Sequence, residues 1–137
     1  MTFSAHGTDA FAPWDFSAFR ADAVVVNLGT NDHPAPGDEV WAAAYVAFAS
    51  GIALRHYNNS QLALFLAFGP MTNEYEGNVR NVTAQLAASG LRAFALDLTL
   101  PHAMTGCFGH PSAADNVEIA AKAAPQIAAA LGWAAGE

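Results

Sequence analysis

Basic residues are scarce in this sequence of 137 residues: five Lys and Arg stand against twelve Asp and Glu, a formal net charge of −7. Neutralising a phosphate backbone takes clustered cations, so the composition argues against binding DNA or RNA. Charge of either sign is thin, at 12% of residues against 53% hydrophobic. That is the reverse of the balance that keeps a chain disordered. Cysteine occurs once, at Cys107, so no intrachain disulfide can form. No apolar run has the length of a membrane span, because the weakly polar stretches 40–54 and 113–135 are broken by Ser50, Gly51, Asp115, Lys122 and Pro125. The segment from Met1 to Phe16 has neither the basic start nor the apolar centre of a signal peptide, so this sequence shows no export signal of its own. No apolar run leads into a Gly-x-Gly-x-x-Gly or Walker-type loop, which weakens a nucleotide-binding or cofactor-binding flavodoxin-like reading. No cofactor is expected.

What is present is an alternation of two patterns in a length suited to one domain over 1–137, with an irregular lead-in at 1–21. Ala23-Val24-Val25-Val26-Asn27-Leu28, Leu62 to Phe68 and Ala93 to Leu96 are short continuous apolar runs. Such runs suit strands covered on both faces, as in a parallel sheet. Between and after them lie helical spacings. Trp41, Tyr45, Phe48 and Ile52 mark a stripe in 38–56, and Tyr75, Val79, Val82 and Leu86 mark another in 74–88. Val117, Ala120, Ala124, Ile127 and Leu131 share a stripe in 113–131. Ser112 with Asp115 predicts the start of this last helix and Gly132 its end, while Pro125 predicts a kink or break. Strand, helix, strand, helix, strand, helix implies a three-layer α/β/α domain with a parallel sheet and crossover connections. Three strands make a small sheet, so an apolar strand edge is expected to stay open.

Ligands gather at the carboxyl ends of strands in such sheets. Two polar, glycine-bearing segments fall there: Gly29-Thr30-Asn31-Asp32-His33 after the first strand, and Gly106-Cys107-Phe108-Gly109-His110-Pro111-Ser112 before the last helix. The run Val25-Val26-Asn27-Leu28-Gly29-Thr30-Asn31-Asp32 resembles the Gly-x-Asn-Asp block of the SGNH, or GDSL-type, hydrolases. The later segment resembles the block that carries that superfamily's catalytic histidine. With Trp14-Asp15-Phe16 shortly before the first strand, the spelling Gly-Cys-x-x-His-Pro looks most like the catalytic domain of carbohydrate esterase family two, the acetylxylan-type esterases. The resemblance extends over roughly 14–132. It implies a flavodoxin-like (SGNH hydrolase) fold, hydrolysis of a carbohydrate acetyl ester as the activity, and a secreted parent.

Residue by residue, the resemblance makes Asn31 an oxyanion-hole donor, supported by Gly29 and Asp32, and His110 the general base. Where many members carry an aspartate three residues before the histidine, this chain has Cys107. A backbone carbonyl can orient the ring instead, and Asp97 is an alternative partner. Phe108 is the best placed of the aromatic residues Trp14, Trp41, Phe108 and Trp133 for substrate contact, and His33 is a candidate for lining the cleft. The Gly-Asp-Ser block that supplies the nucleophile is absent, as is the block with the oxyanion-hole glycine. The chain therefore reads as the carboxyl-terminal part of such a domain, truncated on its amino-terminal side, and little or no serine-esterase activity is expected from it alone. The rival reading is a catalytically inactive module that binds carbohydrate or protein, with a homodimer formed through the open sheet edge. His102, Cys107 and His110 match no common zinc spacing, so no metal is expected. Asn58-Asn59-Ser60 and Asn81-Val82-Thr83 are glycosylation sequons, meaningful if the parent is secreted.

Overall fold

The computed structural model describes residues 15–32 and 38–134. Trp14 and His33, both expected near the site, lie outside the described residues. The expected lead-in is seen from Asp15 onward as one 3₁₀ turn, Phe16–Ala18, capped by the Asp15 carboxylate. The chain then forms β1 (Ala23–Val26), α1 (Asp38–Gly51), β2 (Ala63–Phe68), α2 (Glu76–Ala88), β3 (Ala93–Asp97) and α3 (Ala113–Leu131). The first helix does not stop at Gly51: its backbone loosens into a π-helical turn over Ile52–His56, which completes the segment expected over 38–56.

The strands pair in parallel in the order β1-β2-β3. Every residue of β2 is buried. Its alternating side chains therefore serve two cores, as a continuous apolar run requires. Leu64, Leu66 and Phe68 point toward α1 and α2, where Trp41, Tyr45, Ile52, Val79, Val82 and Leu86 close over them. Ala63, Phe65 and Ala67 point the other way, toward Ile119, Ala123, Ile127 and Leu131 of α3. Phe65 also stacks on Phe94 of β3, with centroids 5.2 Å apart. The three expected layers are thus present.

Two expectations about α3 need correction. The stripe it buries runs through Ile119, Ala123, Ile127, Ala130 and Leu131, whereas Val117, Ala120 and Ala124 are exposed. Alanine is too small to distinguish one helix face from another, and so the larger side chains Ile119, Ile127 and Leu131 decide the orientation. Of the kink or break expected at Pro125, the break does not occur: the helix runs continuously from Ala113 to Leu131. Packing on both sides of that residue, at Ile119 and Ile127, offsets the one hydrogen bond its ring removes. The start and end are as expected, with a reciprocal capping box between Ser112 and Asp115 and with Gly132 closing the helix.

The edge of β1 is open. Val25, on the α3 side of the sheet, is 49% exposed and Leu28 is 50% exposed. An apolar groove of about 310 Å³ runs along that edge between the strand and Phe16, Phe48, Ile52 and Tyr57. Burial concentrated on β2 predicts that Phe65→Ala destabilises the protein by ~3–5 kcal/mol. Val25→Ala, at the open edge, should cost only a fraction of that. Urea denaturation of the two variants checks the contrast.

Candidate functional site

Because the sheet is parallel, the loops that follow its three strands share one rim. Local hydrogen bonds tie them together. Asn27 donates its amide Nδ2 to the Gly69 carbonyl at 3.0 Å, joining the loops after β1 and β2. The Leu98 amide donates to the Phe68 carbonyl at 3.0 Å, joining those after β2 and β3.

The Gly29–Asp32 segment is a four-residue turn closed by the Asp32 amide donating to the Gly29 carbonyl at 2.9 Å. Gly29 sits at φ +116°, and a Cβ there would lie 3.1 Å from the Trp41 ring. Both the backbone conformation and the close indole exclude a side chain. The turn leaves Asn31 exposed at its tip. Asp32 points back to the protein: its Oδ2 accepts from Trp41 Nε1 at 2.9 Å, and its carbonyl accepts from the Tyr75 hydroxyl at 2.7 Å. Trp41 and Tyr75 stack with centroids 5.5 Å apart, and Tyr45 meets Trp41 edge-on at 4.9 Å. Burial pushes the Tyr45 phenol up to about 12, so it remains a neutral donor to the Val26 carbonyl at 3.3 Å.

The second segment is a compact loop. Gly106 donates its amide to the His110 carbonyl at 2.9 Å, and His110 donates its own to the Cys107 carbonyl at 3.1 Å. A Cβ on Gly106 would fall 2.5 Å from the His110 carbonyl oxygen, a contact that only glycine avoids. The His110 backbone is extended, as the following proline demands. Its ring Nδ1 lies 3.1 Å from the same Cys107 carbonyl oxygen. A carbonyl can only accept, so in the neutral ring this contact assigns the proton to Nδ1 and makes Nε2 the acceptor. Asp97, the alternative partner for that ring, is engaged elsewhere. It accepts from the Thr99 amide at 2.8 Å and hydroxyl at 2.7 Å and pairs with Lys122 Nζ at 2.8 Å. Burial would raise the Asp97 carboxyl, but Lys122 and Thr99 together hold it below its usual value.

Asn31 and His110, far apart in the chain, line one cleft of about 490 Å³ together with Asn27, Leu28, Gly29, Thr30, Asp32 and Met71. Phe108 stands outside it, 99% exposed, with the left-handed backbone angle φ +54°. That conformation is costly for a non-glycine residue, by roughly 1 kcal/mol. Trp133 is half exposed at the far end of α3. His102 contacts the Ala103 carbonyl and Glu118. No cluster of three metal-ligating side chains occurs among the described residues.

Reading the sequence missed three contributors. Met71 enters the cleft because the loop after β2 shares the rim. The tie of Trp41 and Tyr75 to Asp32 connects residues separated by 9 and 43 positions. Thr105 was also overlooked. Its amide and hydroxyl, and the Ser112 amide, all donate to Asp115 Oδ2 at 2.7–2.9 Å. This carboxylate, 1% exposed, therefore closes the base of the loop that carries His110.

Neither a protein-family model nor a curated protein matches the sequence. Solved structures do. A carbohydrate esterase family two enzyme with a carbohydrate-binding domain, from Corynascus thermopiles (Myceliophthora fergusii), superposes with a TM-score of 0.76 at 29% identity, over 96% of this chain and 44% of its own. A family two carbohydrate esterase from Cellvibrio japonicus gives a TM-score of 0.77 at 21% identity, over 93% and 38%. A carbohydrate esterase described as having divergent catalytic and non-catalytic binding functions gives 0.64 at 26% identity, over 80% and 38%. The fold is thus that of the SGNH-type family two carbohydrate esterases, and the chain spans less than half the length of these relatives. No helix among the described residues is long and apolar enough to cross a membrane.

The three donors on Asp115, led by the Ser112 and Thr105 amides, hold its carboxyl well below the usual range. A lowered folded-state pKa contributes stability that is present above the unfolded value of about 3.9 and is lost as pH falls toward the folded one. Asp115→Asn should therefore lower the melting temperature at pH 7. The gap to the parent should narrow steadily below about pH 4, where the unfolded chain's carboxyl takes up a proton while the native one stays ionised. Thermal melts across pH check both statements.

Proposed function

We propose that this chain supplies the oxyanion donor and the general base of a carbohydrate deacetylase, while the serine nucleophile comes from polypeptide outside the matched region. Supporting the reading above all is the shared cleft of Asn31 and His110, with His110 Nδ1 against a carbonyl and Nε2 as the acceptor for proton transfer. A serine Oγ entering that cleft attacks the acetyl carbonyl carbon and passes its proton to His110 Nε2. The carbonyl oxygen takes up the negative charge, and the Asn31 side-chain amide donates to it. Loss of one such donor costs ~3–4 kcal/mol of barrier. As the tetrahedral species collapses, the sugar oxygen leaves with the proton held on His110. Water repeats the sequence on the acyl-serine, releasing acetate. In this scheme the Cys107 carbonyl does the orienting that a carboxylate does in a Ser-His-Asp triad, and Phe108 offers an exposed aromatic face to the sugar. The parent is read as secreted, with Asn58 and Asn81 as glycan acceptors.

A second reading, a non-catalytic module that binds acetylated carbohydrate or another protein, is favoured by one observation: the cleft holds Thr30 but no serine. In that reading the open β1 edge pairs with a second copy. Light scattering then finds a dimer that Val25→Lys converts to a monomer, and a monomeric parent contradicts it.

For the first reading, the chain alone should show negligible turnover of an activated acetate ester. It should nonetheless bind an acetylated xylo-oligosaccharide more tightly than the deacetylated one, with NMR shifts at the Asn31 amide and the His110 ring. Phe108→Gly should weaken that binding while raising stability, since it relieves the left-handed strain. Robust turnover sensitive to both Asn31→Ala and His110→Ala would contradict the missing nucleophile, and equal affinity for both sugars would contradict the substrate class.

A further inference from the structure

The geometry points to Trp41 and Tyr75 as positioning residues that hold the Asn31 amide where an oxyanion forms, an inference that rests on the deacetylase reading of the cleft. Asn31 stands at the tip of a surface turn, and a donor on such a turn is useful only if the turn itself is stationary. Oxyanion stabilisation depends on donors arranged in advance, with no reorganisation left to do at the moment of reaction.

The turn is held from beneath at two polar groups of Asp32, its carboxylate and its backbone carbonyl. The Trp41 indole N–H reaches the carboxylate at 2.9 Å, and the Tyr75 hydroxyl reaches the backbone carbonyl at 2.7 Å. The two rings stack on each other, and both residues are buried, so neither donor can swing away without breaking the core around it. The same indole lies against Gly29, at the opposite end of the turn. One side chain therefore contacts the turn where it begins and where it ends, and Asn31 lies between. The two clamps also come from different elements, Trp41 from α1 and Tyr75 from the loop entering α2. Met71, which lines the cleft, belongs to that loop. The hydroxyl of Tyr75 thereby ties the Asn31 turn to the loop that carries Met71. A purely structural role for these aromatics needs only their rings, whereas the positioning role needs the N–H and the O–H.

Trp41→Phe and Tyr75→Phe separate the two, since each keeps a ring and removes the donor. In the full chain, both variants should accelerate hydrogen exchange of the Asp32 amide about tenfold while leaving Leu66 in β2 unchanged. Both should also weaken binding of an acetylated xylo-oligosaccharide about tenfold. Unchanged exchange at Asp32, equal acceleration at Leu66, or unchanged binding in either folded variant overturns the positioning role. If the unsubstituted chain fails to bind the sugar, the deacetylase reading falls. Asp32 exchange then still decides whether the clamp holds the turn. Should Trp41→Phe fail to fold, Tyr75→Phe carries the test.

Discussion

Complete burial of β2 is the constraint from which the rest of this structure follows. A strand with apolar side chains on both faces and neighbours on both edges can be satisfied only by a layer of helices above and another below. α1 and α2 meet Leu64, Leu66 and Phe68 on one side, and α3 meets Ala63, Phe65 and Ala67 on the other. Parallel pairing then brings the carboxyl ends of β1, β2 and β3 to a common rim. The turn bearing Asn31 and the loop bearing His110 reach one cleft for that reason.

Much of this was legible in the residues, and the exceptions are informative. Continuous apolar runs marked the three strands, and large side chains at helical spacing marked α1 and α2. Of the stripe expected for α3, Ile127 and Leu131 pack on the core, whereas Val117, Ala120 and Ala124 face out. Alanines carry little directional information, and the larger side chains Ile119, Ile127 and Leu131 set the face. Pro125 is tolerated because packing on either side outweighs a single missing hydrogen bond. The two motif segments were visible as spellings. Their meeting was a matter of topology, and the partner of the His110 ring was undecidable between a carbonyl and Asp97. Geometry supplies the carbonyl, since Lys122 and Thr99 occupy the carboxylate. The ties of Trp41, Tyr75 and Thr105 left no trace in any local pattern. Each links groups whose proximity exists only after folding.

Hydrogen bonds at their bases hold the two loops that line the cleft. Asp115 gathers Thr105 and Ser112 at the base of one loop, and the stacked aromatics hold Asp32 at the end of the other. Against this order stands the open edge of β1, with Val25 and Leu28 half exposed. A parallel sheet ordinarily covers such a strand, and here its apolar side chains stay accessible. The solved relatives extend well beyond the matched region.

The central claim is that Asn31 and His110 face each other across one rim of the sheet, and Cys107 offers a direct test. It is the only cysteine in the sequence and is exposed, so a nitroxide can be attached there alone. Paramagnetic broadening should then strike the side-chain amide of Asn31 and spare Gly90, which precedes β3 at the opposite rim. Broadening at Gly90 with Asn31 untouched would contradict the account.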